Sequence, residues 1–291
     1  MSVTPAQLFQ EHVQTWAELW KSGVEIEGEE EIEKTAMAGL YWLLQHYRAD
    51  TYWSSSPGGI ATNSYNGHVF WDTELWMFPP LLLWHPGIAK AALQYRLNTV
   101  PGARARAKLG NDPWRSGERA LQGYSTNGVR FSWESAITGN EQTPPGFDTG
   151  AAEIHNTGDV AFEADQYYKL TRDLDFLNSG GYKDLIEGTG QFWSEYVRWE
   201  GAAARVLNVV PPDEEAGYQD DSIFTNAIAE ENMRLAVYYM DLHDRRGKFR
   251  LDPAPDSATF REKFERTIAG LQKTYPTLYD KNRDAHYEYA G

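Results

Sequence analysis

The sequence predicts an all-α domain in which helical hairpins close into a toroid with its binding cleft at one end. Three observations predict it. Apolar residues recur at three- and four-residue spacing through most of the chain, which lines one face of a helix. No stretch keeps the alternation of a half-buried strand. The loops between the periodic segments are long, aromatic and rich in Gly and Pro, and loops of that length inside a compact domain are usually functional.

The elements follow in order. Residues 1–27 read as an N-terminal linker helix, and the helices of the main domain start at residue 28. Over 28–49, Ile32, Ala36, Leu40, Leu43, Leu44 and Tyr47 make one face between Glu-rich and polar residues. The helix over 86–99 starts on Pro86, whose missing N–H has no helical partner at that position, and continues through Ile88, Ala91, Ala92, Tyr95 and Leu97. Ile154, Val160, Ala161, Ala164, Tyr167, Tyr168 and Leu170 repeat the pattern over 151–170. Further helices are predicted over 182–198, 223–243 and 257–273. The last carries Phe260, Phe264, Ile268 and Leu271 as a stripe that should face a partner helix. The decorated loops are 51–71, 110–150 and 200–222, and no repeat or linker divides the chain.

Composition narrows the function. The 291 residues include 42 acidic and 27 basic side chains, a net charge of -15. Such a chain is a poor partner for nucleic acid, which needs a basic patch. No apolar run is long enough for a membrane span, and the first twenty residues lack the basic start and apolar stretch of a secretory signal. Cysteine is absent, which removes disulfides, thiolate metal sites and cysteine nucleophiles and fits a reducing compartment. A cytoplasmic location is the expectation. Eleven Trp and seventeen Tyr beside surplus carboxylates suit a carbohydrate site, where sugar faces stack on rings and hydroxyls bond to charged groups. A Trp-rich helical core is the competing explanation.

Four segments concentrate chemistry. GHVFWDTELWMFPP, residues 67–80, places His68, Phe70, Trp71, Asp72, Glu74 and Trp76 where a helix starts. Asp72 there reads either as an N-cap held ionised by free backbone N–H groups or as a carboxylate beside an indole that grips two sugar hydroxyls. RFSWESA, residues 130–136, repeats the pairing as Trp133–Glu134. EIHNTGD, residues 153–159, puts His155, Thr157 and Asp159 at a helix start. A lone His155 is more often a structural hydrogen-bonding residue than a ligand or base, and no spacing has a metal signature. VVPPDEEAGY, residues 209–218, reads as a solvated acidic turn or as the source of a buried carboxylic acid able to protonate a leaving oxygen. Glycoside cleavage needs such an acid and a second group on the opposite sugar face.

The wording of these segments is more specific than their chemistry. GHVFWDTELWMFPPLLLWHP, then YRLNTVPGARARAKLG, RFSWES, EIHNTGDVAF and PPDE with IFTNAIA, resemble glycoside hydrolase family 65, from about residue 28 onward. The resemblance implies an (α/α)6 barrel, with 28–291 as a partial catalytic barrel, and inverting cleavage of an α-glucosidic bond. By the same carry-over Trp71 and Asp72 bind a glucosyl unit beside Trp133 and Glu134, Thr157 is a sugar contact, and Glu214 is the general acid. Glu215 competes with Glu214 on the bottom-up reading, and the Pro-Pro-Asp-Glu register favours Glu214. WMFPPLLLWHP is nearer the hydrolase branch than the phosphorylases. The expected substrate is a small-molecule or glycopeptide α-glucoside, a trehalose-like disaccharide or glucosyl-galactosyl-hydroxylysine, with no cofactor. Inorganic phosphate enters as co-substrate only if the chain is an inverting disaccharide phosphorylase of the maltose, trehalose or kojibiose type, the second reading. The third is an inactive sugar-binding remnant. It arises because the family's N-terminal β-sandwich, its Lys-Gln sugar-binding pair and its hydrolytic base have no counterpart here, and about seven of twelve barrel helices can be counted. On that expectation the chain alone is too short to be active. Residues 110–125 also read as longer than the family norm.

Overall fold

Thr4 opens the first helix by exchanging hydrogen bonds with Gln7 in a capping box, and Pro5 presets φ at the first helical position, so α1 (Pro5–Leu19) begins there. The structure, a computed structural model, describes residues 3–109, 125–245, 250–251 and 257–289. The expanded segment predicted at 110–125 lies, for residues 110–124, outside the described residues. α1 buries no residue completely, but Trp16, Leu19 and Trp20 rest against the core. α2 (Glu30–Leu44) carries Glu30, Glu31 and Glu33 in its first turn, where the helix dipole favours acids, and buries Leu40 and Leu44.

A π-helical turn, Thr73–Met77, leads into α3 (Phe78–Trp84) and then α4 (Pro86–Ala107). α4 runs past its predicted end at residue 99, straight through Pro101. Proline forfeits one backbone hydrogen bond there. Val100, Ala103, Arg106 and Ala107 on the far half are all buried, and tertiary packing of this kind outweighs local propensity.

The predicted helix over 151–170 is broken in two. α5 (Asp148–Ala152) and α6 (Asn156–Thr171) are separated at Glu153–His155. α7 (Leu174–Phe176), capped by the Asp173 carboxylate on the Phe176 N–H, precedes a π-helical segment, Leu177–Glu187, and α8 (Gly188–Tyr196). α9 (Ile223–Arg245) and α10 (Ser257–Leu271) complete the helices. Two antiparallel hairpins correct the all-α expectation: β1 (Arg198–Glu200) with β2 (Ala203–Arg205), and β3 (Tyr279–Asp280) with β4 (Ala285–His286). Strands of two or three residues are too short to show an alternating pattern.

α6 lies at the centre, packed against α4, α8, α9, the 177–187 segment and the 73–77 turn. It is buried on most sides, whereas α9 buries one stripe that includes Ala229, Met233, Ala236 and Met240. α10 packs on α9, α8 and β2. Its apolar stripe is therefore already covered. Phe264 and Leu271 are fully buried, with Phe260 and Ile268 packed beside them, so the stripe faces partner helices as its spacing predicts. Among the described residues no helix is long and apolar enough to cross a membrane.

One buried ion pair ties the 73–77 turn to α4. Arg96 Nε lies 2.6 Å from Glu74 Oε1, and the two side chains are 1% and 0% exposed. The guanidinium also lies against the rings of Tyr95 and Phe131. Removing one partner of such a pair strands a buried charge, typically at a cost of about 3–5 kcal/mol. Arg96→Met should therefore lose about that much in denaturant unfolding, and Arg96→Met with Glu74→Gln should recover most of it. A loss below about 1 kcal/mol for the single change would show that the pair does not anchor the turn.

Candidate active site

Four distant segments are drawn together by named hydrogen bonds. The Val69 N–H donates to Ser135 O at 2.8 Å, and the Ser135 N–H returns to Val69 O at 3.0 Å, so the Trp71 segment runs beside the Trp133 segment. The Glu141 carboxylate accepts from the Trp133 N–H at 2.9 Å and the Glu134 N–H at 3.0 Å. From the N-terminus of α6, Thr157 Oγ1 accepts from the Phe131 N–H at 3.1 Å, and Asn156 Nδ2 donates to Ser132 O at 2.7 Å. Gly102 makes the crossing of this loop over α4 possible, because a Cβ there would stand 2.5 Å from Thr138 O. The 209–218 loop joins through the Val210 N–H to Ala152 O at 3.0 Å and Tyr218 Oη to Asp148 Oδ1 at 2.9 Å.

The floor of the resulting candidate site is aromatic. The Trp71 ring stands 4.5 Å from His155 and 4.6 Å from Trp76, edge to face in both cases. Trp133 lies 6.5 Å away at a 37° tilt, and Phe224, at the start of α9, lies 6.0 Å away. Trp133 is buried, Trp71 and Phe224 are half-buried, and Trp76 is 50% exposed at the edge.

The acids sit around this floor in three different environments. Asp72 makes no side-chain cap. Its Oδ1 accepts from Trp76 Nε1–H at 3.0 Å. The cap reading fails because the residues after Asp72 wind as a π-turn, and burial pushes the carboxyl above its ordinary value despite the Trp76 bond. Glu134 is buried, with Oε1 2.7 Å from His68 Nδ1. Glu214 opens a 3₁₀ turn, Glu214–Ala216, at the exposed rim with Glu215 beside it. The surrounding protein raises its carboxyl above the usual range, the His155 charge opposes that, and the charges of Asp72 and Glu215 add to it. Glu214 is thus within electrostatic reach of both Asp72 and His155.

His155 is fully enclosed beneath the floor. Nδ1 lies 2.8 Å from Asp159 Oδ2 and Nε2 lies 3.1 Å from Glu153 Oε1. Burial alone would lower its pKa, but the charge and hydrogen bonds of Asp159 and Glu153 raise it to about 9. Burial raises Glu153 to about 8, against the pull of the His155 hydrogen bond and charge.

Trp71, Asp72, Trp133, Glu134 and Glu214 thus form one candidate site. Thr157 is fully buried beneath it, and its hydroxyl anchors the Trp133 loop. The sequence reading missed Glu141, Glu153 and Phe224. Glu153 and Asp159 flank His155 at two- and four-residue spacing, a signal in the EIHNTGD segment. Glu141 had none, since only the folded loop brings it to the Trp133 and Glu134 amides. Among the described residues no group of His, Asp and Glu side chains is arranged to hold a metal ion.

Residues 37–271 match the glycosyl hydrolase family 65 central catalytic domain. The chain belongs to glycoside hydrolase family 65. Its helical architecture agrees with the (α/α)6 toroid of that family. A kojibiose hydrolase of Flavobacterium johnsoniae is 40% identical over 232 residues, covering 79% of this chain and 32% of that protein. A protein-glucosylgalactosylhydroxylysine glucosidase of Dictyostelium discoideum is 40% identical over 225 residues, 76% of this chain and 30% of that protein. A kojibiose phosphorylase of Thermoanaerobacter brockii is 35% identical over 248 residues, 80% and 30% of the two chains. The chain spans about a third of the length of these curated relatives. A solved structure described as a candidate kojibiose phosphorylase from the human microbiome superposes with a TM-score of 0.78 at 19% identity, covering 99% of this chain and 36% of that one. It supports the fold.

The family 65 site carries a pH signature of its own. Both His155, raised from 6.5 to about 9, and Glu153, raised from 4.5 to about 8, hold protons in the folded state that the unfolded chain has released. Stability from this cluster is therefore complete at low pH and falls as pH rises from about 5 to about 9. Melting temperatures across that range should decline more steeply for the parent than for Glu153→Gln with His155→Gln. Parallel profiles would show that the cluster does not titrate in this way.

Proposed function

We propose that the protein hydrolyses an α-glucosidic bond with inversion, with Glu214 as general acid. The observation that carries the proposal is the Val69–Ser135 ladder that sets Trp71 and Asp72 beside Trp133 and Glu134, with the Asp72 charge among those that raise the Glu214 carboxyl. On this reading the apolar face of a glucosyl unit lies on the indoles, and Asp72 and Glu134 accept hydrogen bonds from its hydroxyls. Trp76 Nε1–H fixes the Asp72 carboxylate for that task. Glu214, whose carboxyl is raised above its ordinary value, donates its proton to the leaving oxygen and becomes a carboxylate as the bond breaks. The inversion needs a water on the opposite face of the sugar. Asp72 holds hydroxyls and is not the base for that water.

A kojibiose-like disaccharide or glucosylgalactosylhydroxylysine as substrate is supported by the hydrolases among the relatives, which bear those names at 40% identity. A second reading, phosphorolysis, is favoured by the 35% identical kojibiose phosphorylase. The two differ in one assay: cleavage that requires inorganic phosphate and releases glucose 1-phosphate supports the second and contradicts the first.

Glu214→Gln should leave glucoside affinity within a few-fold of the parent and lower turnover roughly 10²- to 10⁴-fold. Glu215→Gln should stay near the parent. If Glu215→Gln is the inactive variant and Glu214→Gln is not, the acid is the next residue along.

A further inference from the structure

His155 is not one of the residues assigned to sugar binding or proton donation, yet the site is built around it. Both ring nitrogens face carboxylate oxygens, 2.8 Å to Asp159 and 3.1 Å to Glu153, and the side chain has no access to solvent. A neutral imidazole has one N–H and can donate to one of them; an imidazolium donates to both. The ring is also roughly perpendicular to three aromatic neighbours: Trp71 at 4.5 Å and 77°, Phe224 at 5.1 Å and 85°, and Trp133 at 6.1 Å and 75°. A ring pinned at both nitrogens cannot turn, so the planes packed on it are pinned as well. A cation against aromatic rings is favourable, more so away from water.

The geometry points to His155 as a positioning residue: an imidazolium clamped by Glu153 and Asp159 that fixes the planes of Trp71, Trp133 and Phe224 and holds a positive charge within electrostatic reach of Glu214. This role rests on the general-acid reading of Glu214; the clamp itself does not. The charges that bear on the group come from every side. Glu153 and Asp159 flank it on its own segment, and Glu214 interacts with it from the 209–218 loop. Asp72, just before the π-turn, acts on Glu214, while Glu74 and Arg96 act on Asp159 from the π-turn and α4. As Glu214 gives up its proton it becomes an anion within electrostatic reach of a fixed cation, with no rearrangement needed at the moment of transfer.

Two measurements test this. Nitrogen-15 spectra of histidine-labelled protein should show one histidine of the seven with both ring nitrogens protonated at pH 7, and Glu153→Gln should move its titration to lower pH. A neutral signature at pH 7, with Glu153 as the protonated partner, overturns the clamp and needs no catalysis to be seen. In the active protein, His155→Gln should move the alkaline limb of kcat/KM upward by roughly half a pH unit or more, because the acid loses that positive charge. Glu153→Gln should not move it upward. A fall in kcat with the limb unmoved in His155→Gln would reduce His155 to a structural residue and overturn the role. Should His155→Gln not fold, the spectrum and the Glu153→Gln profile decide the matter. If the parent cleaves no glucoside at any pH, the functional reading fails and the spectrum alone judges the clamp.

Discussion

The constraint on which the site depends is the burial of His155 between two carboxylates at the break between α5 and α6. A charged group placed there with no water must be fully hydrogen-bonded, since desolvation otherwise costs several kcal/mol per ion. Glu153 and Asp159 meet that requirement from its own segment. The neighbours then have to be uncharged and close-packed, and they are the rings of Trp71, Trp133 and Phe224. Two loops and the start of α9 thus converge because each contributes a ring to one enclosed cation.

A second buried charge pair gives the loops a rigid base. Arg96 and Glu74 join α4 to the turn that follows Trp71 and Asp72. Glu163, four residues beyond Asp159 on α6, is fully buried nearby, and burial next to Glu74 pushes its carboxyl well above the ordinary value. His155, Asp159 and Glu163 therefore make one ionisable stripe along the inner helix, at successive four-residue steps. Such groups cost stability that aliphatic side chains would not. What they supply is fixed orientation and fixed charge beneath the candidate site.

Much of the fold was legible because helical periodicity survives burial: α4, α6, α9 and α10 all fall on predicted segments. The misses have physical reasons. Pro101 signals a helix end, and only the burial of Ala103, Arg106 and Ala107 keeps α4 going. The π-turns at 73–77 and 177–187 have the same residue types as ordinary helix. The first of them turned Asp72 from a cap into an acceptor for Trp76. In the site, the Trp-acid pairs were visible as local patterns. Glu141 was not, because its two amide partners lie seven and eight residues away across a turn. Thr157 reads in the sequence as a sugar contact, and in the folded chain it is buried with its hydroxyl pegging the loop.

The account stands on one spatial claim: a single glucosyl unit fits over Trp71 and Trp133 with Asp72 at its hydroxyls and Glu214 at its glycosidic oxygen. A crystal structure of the Glu214→Gln protein with an α-linked glucosyl disaccharide measures that directly. The account predicts a pyranose ring on the indoles, Asp72 within hydrogen-bond distance of ring hydroxyls, and the residue at 214 within reach of the bridging oxygen. A sugar bound elsewhere, or bound at this site with residue 214 turned away from the glycosidic bond, would contradict it.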